Sequence, residues 1–386
     1  MTTYAFTGEQ QDFVEAVRDF CRRECGTREQ RDALTDGGEE QHNAELYAKL
    51  AAVGYVGVSV PEEYGGSGGG LIDQVLAFEE LWRGLAPVHG MGPSHTVAGV
   101  YKRFGTEAQK AAALGAICEG KVYSISISEP EAGSDAAAIT CQADRVEGGY
   151  RITGQKTWCS DAQHATALLL VARTSREERR HDGLTMFEVP ADAPGVVVRP
   201  IPTLGGSEVN DVFFDDVFVP DEAVVGTVGG AWRQLMACLN GERIVCAAQQ
   251  LGLARRTLDD LLAYVRERRQ FGAPVGSFQA VSHRIADLAI EVEATRTLVH
   301  DVTRRVAEGI GTEEERVRAT SMAKVKSTET AKRVALEGVQ LMGGYGYSME
   351  FEMQRHLRLS IAPTIYAGTN EIQRDIIAGT LGLRNR

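Results

Sequence analysis

One carboxylate of the chain, Glu242, occupies a position where a charged group needs a reason. It follows Leu239-Asn-Gly in a helical pattern. At about 100° per residue, the side chains at positions 235, 239, 242, 246, 249 and 253 fall within one arc of roughly 80°. Because that arc is mostly apolar, Glu242 is predicted to face inward, where a carboxylate is costly unless it is paired or functional. Two interpretations stay open: an ion pair with a nearby Arg, or a carboxylate with a chemical role.

Two short segments have the residue types needed to approach a flat cofactor or a phosphate group. In Ser126-Ile-Ser-Glu-Pro-Glu-Ala-Gly-Ser-Asp135, a strand end turns through Pro130 and Gly133 into a loop of small hydroxyl residues. Glycine removes the Cβ and serine adds a donor, so a flavin or pyrophosphate could come close. In Gly154-Gln-Lys-Thr-Trp-Cys-Ser160, Trp158 precedes a hydroxyl by two residues. Taken alone, each pattern is better explained by an ordinary turn or a core residue.

Three stretches of different periodicity must position these segments. Residues 1–120 are predicted to form an N-terminal helical domain, from apolar residues at helical spacing. Residues 121–228 alternate between apolar and polar side chains and contain Gly-rich turns, which indicates a small, barrel-like β domain. Residues 229–386 are helical again, and their apolar stripe over 278–306 is typical of a helix bundle. The predicted fold class is therefore α+β, mostly α.

The bulk composition excludes several classes of function. A net charge of −12 argues against a nucleic-acid or anionic-membrane surface. No apolar run is long enough for a membrane span, and the first residues lack the basic and apolar regions of a signal peptide, so a cytoplasmic location is expected. Seven cysteines are scattered without metal-ligand spacing. We therefore expect reduced thiols and no metal site.

The two segments gain meaning from two later ones. With Gln340-Leu-Met-Gly-Gly-Tyr-Gly346 and Ile365-Tyr-Ala-Gly-Thr-Asn-Glu-Ile-Gln-Arg374, they resemble the signatures of the acyl-CoA dehydrogenase family, in the family's order. The resemblance implies that family's fold, with a C-terminal four-helix bundle, a tightly bound FAD, and a homotetramer or dimer of dimers. It also implies desaturation of an acyl-CoA thioester, with an electron-transfer flavoprotein as the electron acceptor.

The family's flavin contacts carry over to numbered positions. Ile127 and Ser128 would lie along the isoalloxazine ring, Trp158 would pack against it, and the Ser160 hydroxyl would approach N5. The other implied cofactor contacts are Ser134 near the pyrophosphate; Arg268, Phe271 and Gln279 to the FAD of a neighbouring subunit; Gln340, Gly343 and Gly344 at the adenosine half; and Thr369 to Glu371 at the chain's own flavin. Two departures from the family pattern are Ser126, where Gly, Ala or Cys is usual, and Leu359, where Asp is usual.

The family's usual catalytic base is missing. Many members have Glu where this chain has Ala367, whereas a minority, including isovaleryl-CoA dehydrogenases, deliver the base from the helix that opens the C-terminal bundle. That position is Glu242 here, so we expect Glu242 to remove the α proton while the β hydrogen leaves as hydride to flavin N5. The Ala367 backbone N–H would still polarise the thioester carbonyl. The implied substrate contacts are Ser134, Asn240, Arg243 and Gly368.

Other functions stay open on the sequence alone. The nearest alternative is the dehydrogenation of an acyl or aminoacyl group on a carrier protein, because biosynthetic relatives also have a small residue at the position of Ala367. A flavin oxidase or monooxygenase on the same fold, and a non-catalytic role, are more distant. Chain length, branching and ring structure of the acyl group are not predicted.

Overall fold

The computed structural model describes residues 6–383; the first five residues, which entered the prediction of location, and the last three lie outside the described part. The first third of the chain is helical, with α1 (Gly8–Cys25), α2 (Arg28–Leu34), α3 (Ala44–Ala52), α4 (Leu71–Arg83), α5 (Met91–Phe104) and α6 (Glu107–Cys118). The middle contains β1 (Val122–Ser126), β2 (Gln142–Val146), β3 (Gly149–Ser160), β4 (Ala165–Arg173), β5 (Leu184–Pro190), β6 (Val196–Thr203), β7 (Gly206–Pro220) and β8 (Val224–Val225). The remainder contains α7 (Ala231–Glu267), β9 (Arg269–Gln270), β10 (Ala273–Pro274), α8 (Gln279–Ala307), α9 (Glu313–Met342), α10 (Gly344–Tyr347), α11 (Met353–Ile361) and α12 (Asn370–Thr380). The predicted order of helices, sheet and helices is confirmed.

By their internal contacts the described residues form two compact units. The bundle unit contains the chain up to Arg31, Gly70–Ala86 and everything from Arg243 onward. The sheet unit contains Asp32–Gly69 and Pro87–Glu242. Helix α7 therefore begins in the sheet unit and continues in the bundle unit. The three-domain boundaries at 1–120, 121–228 and 229–386 stay a prediction.

The sheet unit is built on one mixed sheet. Its strand order is β6-β7-β3-β2-β4-β5-β8, and β1 lies parallel to β4 outside this path. Strand β4 is buried through Leu168–Ala172, as expected for a central strand covered on both faces. The β2–β3 hairpin turns at Gly148, whose φ of 74° lies in the left-handed region that glycine tolerates. The strand path ends at β6 and β8, without a pairing between these two strands among the described residues.

The bundle unit has its core between α7, α8, α9 and α11. Leu261 and Val265 of α7 pack with Leu288 of α8, Val334 of α9 and Met353 of α11. The apolar stripe predicted for α8 is buried at helical spacing, at Ile285, Leu288, Val292, Thr295, Val299 and Val302. This spacing matches the stripe of a core-facing bundle helix. Among the described residues, none of the helices is both long enough and apolar enough to cross a membrane.

A buried charge network joins α4 to α7 and α8 inside the bundle unit. Glu79 of α4 is 1% exposed, accepts a hydrogen bond from Arg255, and lies 2.7 Å (Oε2 to Nε2) from His300. Next to it, Glu80 pairs with Arg18 of α1 at 2.8 Å. Burial alone would raise the pKa of Glu79. The hydrogen bond and charge of His300 and those of Arg255 lower it by more, so that the net pKa is about 2.

Neutralising Glu79 is expected to destabilise the fold at pH 7. Because its pKa in the folded protein lies below that of the unfolded chain, the ionised carboxylate contributes about 3 kcal/mol of stability above roughly pH 4.3. That contribution is lost as the pH falls toward 2. Urea denaturation of Glu79→Gln should therefore show the full loss at pH 7 and a shrinking difference from wild type below about pH 4. The exposed control Glu45→Gln should show neither effect, and a pH-independent loss at Glu79 would contradict the assignment.

Candidate active site

A buried ion pair fixes the turn that follows β1. Lys156 is 0% exposed, and its Nζ donates to Glu129 Oε1 at 2.7 Å and to the carbonyl of Ile127 at 2.9 Å. The Thr157 N–H donates to the Ser128 carbonyl at 2.9 Å. Both predicted flavin segments are thus brought together in the sheet unit. Burial raises the pKa of Glu129, but the charge and hydrogen bond of Lys156 and two backbone N–H groups lower it, with a net decrease.

Trp158, in β3 next to this turn, has a strained backbone and an exposed side chain. The pairing of β3 with β7 shifts register between Lys156 and Cys159, and Trp158 within that bulge has a φ of 59°. Its side chain is 59% exposed, which is unusual for so large an apolar group in a strand. Ser160, two residues on, is half-buried, and its carbonyl accepts from the Ser124 hydroxyl at 2.7 Å. The result is a rigid edge that presents a flat aromatic surface outward.

Lys156 and Glu129 stand within the two predicted flavin segments, but neither was predicted to have a role. Strand β3 also contains Arg151 and Gln155, so a Lys in it gave no sharp signal, and the partner of Lys156 lies 27 residues away. Of the other predicted contacts in this region, Ser134 lies exposed on the loop after β1. The hydroxyl of Ser126 is buried without a hydrogen-bond partner among the described residues.

Glu242 lies near the start of α7, at the end of the sheet unit, and is half-buried. The predicted inward arc is supported at Leu235, Cys246, Gln249 and Leu253, all of which are buried. From Arg243 to Ala254, however, α7 is buried all round, so the arc does not distinguish Glu242 as sharply as its spacing indicates. Asn240 is half-buried, and Arg243 is 8% exposed.

Helix α5 lies along the first turns of α7 within the sheet unit. The Arg103 side chain donates to the Ala237 carbonyl at 3.0 Å, and the Cys238 thiol lies 3.7 Å from the Gly99 carbonyl. A Cβ placed on Gly99 or on Gly241 would meet no described atom within 4 Å. Neither glycine is therefore packed against a neighbouring group; Gly241 is exposed and Gly99 is half-buried.

The segment around Ala367 is held by its carbonyl groups. Gln373 donates to the Ala367 carbonyl at 3.0 Å, and the buried Lys324 donates to the Gly368 carbonyl at 2.9 Å and to Asn370 at 3.0 Å. Ala367 has a φ of 54°, a left-handed conformation that costs a non-glycine residue about 1–3 kcal/mol. Thr369 caps α12 by accepting from the Ile372 N–H at 3.2 Å. No acceptor among the described residues takes the Ala367 N–H, so that donor stays available.

The remaining predicted contacts lie on the surface of the bundle unit. The Arg268 guanidinium lies 5.1 Å from the ring centre of Tyr345, which follows Gly343 and Gly344. Phe271, at the tip of the β9–β10 hairpin, is 96% exposed. Gln279, Gln340, Gly343, Gly344 and Glu371 are exposed as well. The carboxyl of Glu371, at the N-terminus of α12, has a lowered pKa because its own backbone N–H and the Thr369 side chain bond to it.

Comparison with known proteins decides what these segments belong to. The family models of the N-terminal, middle and C-terminal domains of acyl-CoA dehydrogenases match residues 7–121, 124–217 and 229–382, respectively. The chain belongs to the acyl-CoA dehydrogenase family. It is 34% identical to the mitochondrial isovaleryl-CoA dehydrogenase of Solanum tuberosum, over 98% of this chain and 92% of that protein. It is 31% identical to the subunit CarC of the caffeyl-CoA reductase–Etf complex of Acetobacterium woodii, over 97% of this chain and 99% of that one.

Solved structures agree with this family. The butyryl-CoA dehydrogenase of Megasphaera elsdenii superimposes with a TM-score of 0.89 at 33% identity, covering 99% of this chain and 100% of that one. PigA with FAD and proline superimposes with a TM-score of 0.91 at 27% identity, again covering 99% and 100%. The family is a family of FAD flavoproteins, and the residues of this chain fit that cofactor. The exposed Trp158 indole beside the carbonyl-fixed turn at Ile127–Ser128 is suited to one face of a flat, largely apolar ring.

Breaking the buried pair is expected to damage both stability and cofactor binding. Lys156→Met leaves the Glu129 charge buried without its cation, which costs about 3–5 kcal/mol. Urea denaturation should show that loss, and the flavin-to-protein absorbance ratio should fall because the Ile127–Glu129 turn is released. The exposed control Lys49→Met should change neither quantity. Adding Glu129→Gln to Lys156→Met should recover part of the stability, and a single variant as stable as wild type would contradict this role.

Proposed function

We propose that the chain catalyses the FAD-dependent α,β-dehydrogenation of an acyl-CoA thioester, with Glu242 as the base. The observation that carries the proposal is the combination of a half-buried carboxylate at position 242 with an alanine at position 367. The loss of the usual carboxylate leaves the backbone around Ala367 fixed and its N–H available. The resemblance to the family members that deliver the base from this helix supports the same placement, and the chain is 34% identical to an isovaleryl-CoA dehydrogenase.

The bound FAD would accept the β hydrogen of the substrate as hydride. In this proposal the Glu242 carboxylate removes the α proton, and the bond electrons left on the α carbon form the new double bond as the β hydrogen departs. Trp158 and the Ile127–Ser128 turn would hold the ring, and the Ser160 hydroxyl would orient its reacting edge. Because Lys156 fixes this turn through a carbonyl and a carboxylate, little reorganisation would be needed during the reaction.

The Ala367 N–H would stabilise the charge that develops on the thioester oxygen. A backbone donor does this without any contribution from its own side chain, so the substitution at 367 leaves this function intact. Lys324 and Gln373 bind the Gly368 and Ala367 carbonyls, which would fix the direction of the N–H. Asn240, Arg243, Gly368 and Ser134 would contact the substrate.

Glu242→Gln tests the base directly. It retains the size and polarity of the side chain but cannot take a proton, so flavin reduction by acyl-CoA should slow by about 10²–10⁴-fold or more while FAD stays bound. Anaerobic stopped-flow bleaching of the flavin measures the rate, and the absorbance spectrum measures FAD content. The exposed control Glu314→Gln should behave as wild type. Near-normal reduction by Glu242→Gln would remove Glu242 from this role.

We also propose a homotetramer or dimer of dimers in which the hairpin tip reaches a neighbouring subunit's FAD. The support is three large apolar side chains of the bundle unit, Phe271, Tyr347 and Met349, which are 96%, 83% and 61% exposed. Large apolar side chains that stay this exposed are typical of an interaction surface.

Phe271→Asp should therefore weaken both assembly and cofactor binding. A charge at the hairpin tip would have to be buried against the neighbouring subunit, which is costly without a partner. Sedimentation velocity should show smaller species, and the flavin-to-protein ratio should fall with them. Leu204→Asp, on another exposed turn, should leave both unchanged; an unchanged sedimentation coefficient for Phe271→Asp would contradict the proposed interface.

The electron acceptor in this proposal is an electron-transfer flavoprotein, supported by the likeness to CarC of the caffeyl-CoA reductase–Etf complex.

The likeness to PigA, with proline bound, keeps a carrier-bound aminoacyl thioester as the second candidate substrate. Comparing flavin reduction by CoA thioesters with that by carrier-loaded thioesters separates the two. We propose a cytoplasmic location, which the seven cysteines support because none of them forms a disulfide among the described residues and reducing compartments keep thiols reduced.

A further inference from the structure

A cluster of ionisable side chains lies directly after Ser160 in the sheet unit, and the reaction above does not use it. Asp161 is 0% exposed and has a left-handed φ of 51°. Its Oδ2 lies 2.6 Å from Nδ1 of His89, which stands just before α5. Its Oδ1 is buried without a hydrogen-bond donor among the described residues. The buried carboxylate therefore depends on His89 for compensation of its charge.

His89 is held as a cation at neutral pH. Burial lowers its pKa, but the charge and hydrogen bond of Asp161, with the charge of Glu208, raise it to about 9. Burial lowers the pKa of the neighbouring His42 to about 4, so that ring is neutral at pH 7. The His89 Nδ1–H is taken by Asp161. Its Nε2–H meets no acceptor among the described residues, and the side chain remains 23% exposed.

The position of His89 relates it to the reacting groups. Chain geometry from Ser160 through Asp161 keeps the imidazole within roughly 12 Å of the Ser160 Cα. Helix α5 begins two residues after His89, and its Gly99, about 12 Å further along the helix, borders Cys238 of α7. The half-buried residues Gly92, Thr96 and Gly99 form one face of α5 between these two ends. The imidazolium thus stands at one end of a face of small residues whose other end lies one turn from Glu242.

We propose that His89 is a specificity-determining residue, whose Nε2–H donates a hydrogen bond to a neutral oxygen carried on the acyl chain beyond the reacting carbons. The inference rests on the proposed function. It favours a hydroxyl, keto or ether oxygen over a carboxylate, because Asp161, Glu208 and Glu40 already place three acidic groups around His89 and its neighbours His42 and His164. A plain alkyl chain would leave the cationic N–H facing an apolar group, which is unfavourable.

Matched thioesters test the inference. Each pair consists of a straight-chain acyl-CoA and the isosteric acyl-CoA in which an ether oxygen replaces one methylene beyond the β carbon. For the FAD-loaded wild type, kcat/KM from anaerobic flavin reduction should favour at least one oxygenated member. His89→Met should lower that preference about 10- to 100-fold, the effect of losing one hydrogen bond from a charged donor. His89→Gln, which keeps an N–H donor, should retain part of it, and the exposed control His181→Met should retain all of it.

A measurement on the wild type alone supports the test should the variants fail to fold. As the pH rises through about 9, His89 loses the Nε2 proton while Nδ1–H stays with Asp161, so Nε2 turns from donor to acceptor. The preference for the oxygenated thioester should then fall, whereas the straight-chain rate serves as the internal reference. A preference near one at every oxygen position, or one insensitive to both His89→Met and pH, overturns the inference. If no thioester of either kind reduces the flavin, the proposed function itself fails.

Discussion

The ion pair between Lys156 and Glu129 is almost completely withdrawn from water, with side-chain exposures of 0% and 5%. Desolvating two charges costs several kcal/mol each, and such a pair adds stability only when further hydrogen bonds satisfy it. Here Glu129 also accepts from the Thr140 and Cys141 backbone N–H groups, and Lys156 also donates to the Ile127 carbonyl. The turn after β1 has few apolar side chains to bury, so this network replaces a core as the source of its rigidity. Trp158 can therefore be exposed without being loose.

The same device recurs in the bundle unit. Lys324 is buried and binds the Gly368 carbonyl and the Asn370 side chain, which fixes the segment before α12. In each unit a buried lysine fixes a loop by donating to a backbone carbonyl. The Trp158 side chain next to one loop is exposed, and the Ala367 N–H of the other has no acceptor among the described residues. An ammonium suits this task because it is a compact donor of three hydrogen bonds on a flexible stem. Donors fixed in this way can stabilise charge that develops during a reaction without having to reorganise.

Local patterns in the sequence predicted the helices and strands but not the side-chain pairs that are distant in sequence. The helical stripe of α8, the Gly-rich turns of the β region, such as the one at Gly148, and the order of helices and sheet all follow from side-chain periodicity and turn chemistry, which act over a few residues. Lys156 finds Glu129 across 27 residues and His89 finds Asp161 across 72, and no spacing rule connects either pair. The arc drawn for Glu242 was only partly informative, because a helix that is buried all round has no single inward face. The roles of Glu242, Ala367 and the other site residues stay predictions.

A catalytic base can move from a loop to a helix because the side chain and the backbone N–H at position 367 act separately. The side chain there would supply a carboxylate, and the backbone supplies an N–H whose direction depends on Gln373 and Lys324 rather than on the side chain. Removing the carboxylate thus costs the loop one function and leaves the other. A carboxylate on α7 gains a regular element for support, and a helix positions a side chain more rigidly than a loop does. Under the proposed function, selection of the acyl group would depend on residues that neither role needs, such as His89 just before α5.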